Sequence, residues 1–344
     1  MNKLATLDSD DPIFTASSNR IVFVAAMGFE DRALEFSKKL AAGDTGGLVI
    51  CIRYVHAKGA NREREFQFLF SSNLDWQVRE VKYSSIRAHE FEGAFDSTLH
   101  AAKVRETDTV VVDISGMSKF LILVILLRLW RVKRTLKLVM TTALKYAPTR
   151  TDFDTTMHEQ GNNIRTFAGQ PSSGVSAILR SNCMTSTRMQ GQPTCAVAFT
   201  SFNEELIRHA IGTLNPRRLI LINGMPPLQE TFWRSAATQL IHSKLVEEYA
   251  ADNPVSGETG LLLRTVSTLD YLETLQKLEE IHREFGLYER MIYFATGSKM
   301  QTVALAIHRQ LHKDAHLEYP TPDSYFFQEY SKGVGTTFGV DVHF

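Results

Sequence analysis

A chain of 344 residues is too long for one ordinary core and suits two domains. Lys+Arg and Asp+Glu both number 38, so the net charge is zero and no broad basic face for duplex nucleic acid is indicated, though a local basic pocket stays open. The three cysteines, Cys51, Cys183 and Cys195, are odd in number and far apart, which fits neither a disulfide framework nor a zinc pattern and reads as reduced thiols.

The first fourteen residues, MNKLATLDSDDPIF, are polar and acidic and lack the apolar stretch of an export signal, so a cytoplasmic location is expected. The greasiest run, FLILVILLRLW from Phe120, is about half the length of a membrane span, and Arg128 interrupts it. It reads as a buried core helix, and no membrane partner is expected.

Strands and helices alternate through residues 1–150. IVFVAAM from Ile21, LVICIRYV from Leu48, WQVREVKY from Trp76, TVVVDIS from Thr109 and LKLVMTT from Leu136 read as strands. EDRALEFSKKL and SKFLILVILLRLWRV read as helices between them. Residues 151–193 are polar and read as a connector carrying a short helix or hairpin. The alternation then restarts over residues 194–344. Strands are expected at TCAVAFTS, RRLILING, GLLLRTVST and RMIYFATG, with helices between them and late strand material in HLEYPTP and TTFGVDVHF.

The two halves resemble each other. FVAAMGFEDRALEF aligns with VAFTSFNEELIRHA, placing Phe202 opposite Phe29, 173 residues on. VVVDISGMSKFLILVILLRL aligns with MIYFATGSKMQTVALAIHRQL. The expected fold is therefore α/β: two tandem Rossmann-like halves with mostly parallel sheets flanked by helices.

Each half carries a glycine–hydroxyl–lysine turn between strand and helix. One is Ser115, Gly116, Ser118 and Lys119; the other is Thr296, Gly297, Ser298 and Lys299. Such a turn aims backbone N–H groups outward at the positive end of a helix dipole, which suits a phosphate. Its lysine adds a point charge. Helix capping is the competing use of the hydroxyls. Neither turn has the Gly-rich span of a Walker P-loop, and no GxGxxG follows the first strand. Asp113 stands alone, without the paired acids of a phosphoribosyltransferase loop.

FATGSKMQTVALAIHRQL resembles the signature of the CARF-type nucleotide sensors, through Thr296, Gly297, Ser298, Lys299, Met300, Ala304 and Leu305. The family's second glycine is absent, and DISGMSKF is a looser copy. The resemblance covers about 20 residues and the general order of elements in each half. It implies a sensor of cyclic oligonucleotides, usually dimeric with its ligand across the two-fold axis. Two halves in one chain would make that pseudo-dimer, and a homodimer also fits. A role in a bacterial defence or stress system fits such a sensor, and the family's effector would be a separate protein, since no nuclease motif stands out.

The candidate ligand-binding residues are thus both turns together with Asp113, and Glu30 and Asn203 after the first strand of each half. Glu30 and Asn203 also suit the dipole at a helix start. Arg53, Tyr54 and Asn223 end second strands and could line the same cleft. His308 and His312 are four apart, but no acidic third ligand lies nearby in sequence, so no metal site is expected. No cofactor is expected and no catalytic residue is assigned. Three functions stay open: a nucleotide-binding sensor, an enzyme such as a phosphodiesterase acting on a nucleotide, and an interaction scaffold whose turns are only caps.

Overall fold

The computed structural model describes residues 2–7, 11–14, 19–43, 45–55, 62–71, 75–133, 135–161, 164, 166, 169–252, 260–326 and 330–343. Parts of the polar connector, at 162–163, 165 and 167–168, lie outside these. The chain forms two compact units, one of residues 1–146 with 331–344 and one of residues 147–330.

The first unit runs β1 (Ile21–Ala26), α1 (Glu35–Ala42), β2 (Gly47–Tyr54), α2 (Glu63–Ser71), β3 (Trp76–Tyr83), α3 (Ala88–Ala101), β4 (Thr109–Asp113), α4 (Lys119–Leu129) and β5 (Thr135–Thr141). These strands lie parallel in the order β5-β4-β1-β2-β3. β1 is wholly buried and β4 nearly so, which is why both read as continuous apolar runs instead of alternating ones. Phe23, Phe36, Phe66, Phe70 and Trp76 pack one face of the sheet. α4 is buried at every position from Phe120 to Leu127 and again at Leu129, as expected of a helix apolar nearly all round. Arg128, which breaks the apolar run, pairs with Glu92 and Asp96 of α3. No helix among the described residues is long and apolar enough to cross a membrane.

The second unit runs α5 (Arg150–Gln160), β6 (Thr194–Phe199), α6 (Glu205–Leu214), β7 (Arg218–Met225), α7 (Trp233–Asp252), β8 (Leu261–Ser267), α8 (Tyr271–Phe285), β9 (Arg290–Phe294), α9 (Lys299–Leu311) and β10 (His316–Thr321). Its parallel strands follow β8-β7-β6-β9-β10. Numbered within each unit, both orders read 3-2-1-4-5, so each is a Rossmann-like half with its switch point between the first and fourth strands.

Two boundaries differ from expectation. The C-terminal strand Thr337–His343 belongs to the first unit, not the second: all seven of its residues pair antiparallel with β5, and Ala5–Thr6 pairs beyond it. Alternating hydrophobicity marks a strand but not the sheet edge it will join. The connector is also part of the second unit's body. Thr149 and Asp152 form a capping box that starts α5, whose Phe153 and Met157 pack against Ile164, Ala237 and Ile241. Ala177–Leu179 adds an antiparallel edge to β10.

Candidate functional site

The register places the two turns at equivalent sites. Ala25 pairs with Asp113 across β1 and β4, and Ala198 pairs with Phe294 across β6 and β9. One residue on, the Ile114 N–H donates to Val139 O at 2.9 Å and the Ala295 N–H to Glu318 O at 3.1 Å. Ser115 and Thr296 follow directly, each at the carboxyl end of the fourth strand. Ser118 and Ser298 then cap α4 and α9, leaving Lys119 and Lys299 as the first residue of each helix.

The hydroxyls are engaged inside the fold, in the capping and backbone-bonding use that competes with a ligand. Thr296 Oγ1 donates to Phe199 O at 2.6 Å and accepts from Phe199 N at 3.0 Å, stitching β9 to β6 across the switch point. Ser298 Oγ donates to Thr268 O at 2.6 Å and accepts from Gln301 N at 3.1 Å. In the first unit, Ser115 Oγ accepts from Thr141 N at 2.7 Å and Ser118 Oγ from Leu121 N at 3.4 Å. Asp113 Oδ1 accepts the Ser115 N–H at 2.8 Å and so shapes the turn. Buried hydroxyls beside unpaired strand ends satisfy backbone groups first, because a buried donor left open is expensive.

The glycines serve close packing. A Cβ on Gly116 would sit 2.5 Å from Ala26 O, and one on Gly28 would sit 3.0 Å from Gly116 Cα. The first-strand and fourth-strand turns of the first unit therefore touch. In the second unit a Cβ on Gly297 would meet Gln301 Oε1 at 2.2 Å and Phe199 Cβ at 2.8 Å.

A further parallel was not read from the sequence. The N–H of the capping serine is taken by a side-chain oxygen in each unit: Tyr54 Oη accepts from Ser118 N and Gln301 Oε1 accepts from Ser298 N, both at 2.7 Å. Tyr54 also donates to Gly116 O at 3.1 Å. Ser298-x-x-Gln301 is a capping-box spacing and was legible as such. Tyr54 acts from a different strand and was not.

The other candidates are also used structurally. Glu30 is buried and accepts two bonds from the buried Arg32, at 2.6 and 2.9 Å, and one from Ser331 Oγ at 2.7 Å. Asn203 Nδ2 donates to Gly174 O at 3.1 Å. Asn223 ties Thr200, Ser235 and Thr238 together. Arg53 pairs with Glu63 and Glu80. Met117 and Met300 are buried. Each turn also carries a lysine as the first residue of its helix. Lys119 is half-buried, and desolvation holds its ammonium down to about 8. Lys299 is half-buried at the matching place.

The expectation of no metal ligands meets a different finding. Glu279 of α8 stands against His308 and His312 of α9, at 2.6 and 2.7 Å, and supplies the acidic third member that the local sequence lacks. Burial would raise the Glu279 carboxyl, but the bonds from His308 and His312 hold it down to about 2. Burial and the neighbouring imidazoles lower His282 to about 4, and burial lowers His308.

No family model matches the chain, and no curated protein matches it. A solved structure of NadR protein in complex with NR aligns with 87% of this chain and 90% of that one, at 10% identity and a TM-score of 0.24. At that score neither fold nor ligand carries over.

Proposed function

We propose that this chain is a nucleotide-responsive module in which each unit receives a phosphate of its ligand at the carboxyl ends of its strands. The observation that supports this reading is the recurrence of one arrangement at both switch points: a Gly turn, a serine cap and a half-buried lysine opening the helix. The lysine and the helix dipole supply the attraction, while the hydroxyls hold the turn in shape. A phosphate oxygen reaching the capping-serine N–H would take the place of Tyr54 Oη or Gln301 Oε1. Ligand arrival would thereby be transmitted to the end of β2 or the first turn of α9.

Cyclic oligonucleotides are the favoured ligand class on the resemblance of the Thr296–Leu305 segment to CARF-type sensors. A separate effector and a homodimeric state belong to the same proposal. Native mass spectrometry of the purified chain, followed by calorimetric titration with linear and cyclic nucleotides, tests it. Binding that Lys299→Glu or Lys119→Glu abolishes supports the reading. Binding to none of these ligands, or equal affinity in both variants, would overturn it.

A further inference from the structure

α8 and α9 lie side by side in the second unit, and each presents a pair of potential ligands on one face. Glu279 and His282 are three residues apart, and His308 and His312 are four apart, both spacings that align side chains along a helix. Elsewhere on the two helices Leu275, Leu278 and Ile281 of α8 are buried, as are Val303, Leu305 and Ile307 of α9. Asp314 follows α9 and faces His282 Nε2 at 3.4 Å.

We propose that Glu279, His308 and His312 bind one divalent transition-metal ion of the zinc class, with His282 and Asp314 bordering its remaining coordination position. Three observations carry this. One ligand atom from each of the three residues lies within 4.8 Å of the others, and His282, His312 and Asp314 meet the same limit, so the two groups share His312. Two imidazoles and a carboxylate are the donor set that suits a borderline ion such as Zn2+. His308 is also the innermost ring, with no exposed side-chain surface. One of its nitrogens faces Glu279, and the other, Nε2, is buried without a hydrogen-bond partner among the described residues. The nitrogen that faces Glu279 is Nδ1, so it is Nδ1 that would join the Glu279 carboxylate on the ion.

The surroundings fit a supported site. The three rings crowd together, with centroids 3.9 Å apart for His282 and His312, 4.6 Å for His308 and His312, and 5.2 Å for His282 and His308. His282 Nδ1 lies 3.2 Å from the buried Tyr293 hydroxyl, which fixes the ring as outer partners of metal ligands do. The cluster lies at the end of α9 away from Lys299, and this helix of 13 residues is roughly 20 Å long. The ion would therefore staple α8 to α9, and its presence does not depend on a ligand at the turns.

The test uses the full chain without a histidine tag. Metal analysis after chelator-free purification should find about one zinc-class ion per chain. The stripped protein should bind ZnCl2 by calorimetry, show tetrahedral Co2+ absorption bands, and melt higher with Zn2+ than with chelator. His308→Ala would open the core, so the two partly exposed ligands carry the assignment. Glu279→Gln and His312→Gln should each weaken Zn2+ binding by at least about a hundredfold, more than loss of an outer partner typically does. Failure of the folded wild type to bind either ion at micromolar concentration overturns the proposal. Unchanged affinity in both variants does so too, since it would place the ion elsewhere. Neither result bears on nucleotide binding.

Discussion

The phenolic oxygen of Tyr54 accepts a hydrogen bond from the Ser118 N–H at 2.7 Å, occupying a donor at the start of α4 that an anion would otherwise use. Tyr54→Phe removes that competitor while keeping the ring, which packs edge-on against Tyr83. Two opposite effects are expected. Stability should fall by about 1–3 kcal/mol, because the hydroxyl also donates to Gly116 O and both hydrogen bonds are lost. Affinity for a phosphorylated ligand at this turn should rise, by up to about tenfold. Chemical denaturation and calorimetry on the same preparation measure both. A variant that loses ligand affinity would make Tyr54 a ligand contact, not a competitor.

Glu30 and Arg32 form a pair with side-chain exposures of 7% and 4%. Arg32 also donates to Thr141 O at 3.0 Å, and Glu30 accepts from Ser331, so the pair links the loop after β1 to β5 and to the returning C-terminal segment. Glu30→Ala leaves a buried guanidinium without its carboxylate and should destabilise the chain by about 3–5 kcal/mol. Glu30→Gln, which keeps the shape and one acceptor, should cost less. A stability change below about 0.5 kcal/mol for the alanine variant would show that water reaches Arg32.

The βα alternation was legible because buried parallel strands such as β1 and β4 are continuous apolar runs separated by amphipathic helices. The repeat was legible because both switch-point turns keep glycine, a hydroxyl and lysine. What a hydroxyl bonds to was not legible. Ser115 and Thr296 match a phosphate turn in sequence, yet each is occupied by a backbone partner on a neighbouring strand, Thr141 or Phe199, and strand adjacency is a property of the sheet. Glu279 is the same case from the other side. It lies 29 residues before His308, and only the packing of α8 on α9 brings them together. The destination of Thr337–His343 was hidden for the same reason.

Leu123 lies in the middle of α4 with no exposed surface. Its neighbours on the helix, Ile122, Val124 and Ile125, are equally buried, so the surroundings cannot move in to fill a deletion. Leu123→Ala should cost about 2–5 kcal/mol, and Leu123→Met less than about 1.5 kcal/mol. Urea denaturation monitored by circular dichroism separates the two. Equal costs would indicate a loosely packed site at Leu123, not a close-packed core.

Lys119 opens α4 with its ammonium held at about 8 by desolvation, below the ordinary 10.5. The folded chain thus favours the neutral amine more than the unfolded chain does. Between about pH 8 and 10.5 the unfolded state binds more protons, so stability should rise with pH across that window and level off above it. Lys119→Gln should flatten this rise. The same shift sets the pH dependence of ligand binding with the opposite sign. A phosphate beside Lys119 favours the charged form, so affinity should be highest below pH 8 and decline as the amine deprotonates above it. Lys119→Gln should lower affinity at neutral pH by roughly tenfold to a hundredfold, the worth of one charge-assisted contact, and should remove the decline above pH 8. Calorimetry at several pH values on wild type and variant distinguishes the outcomes. If the variant keeps the alkaline decline, the titrating group is elsewhere and Lys119 does not touch the ligand.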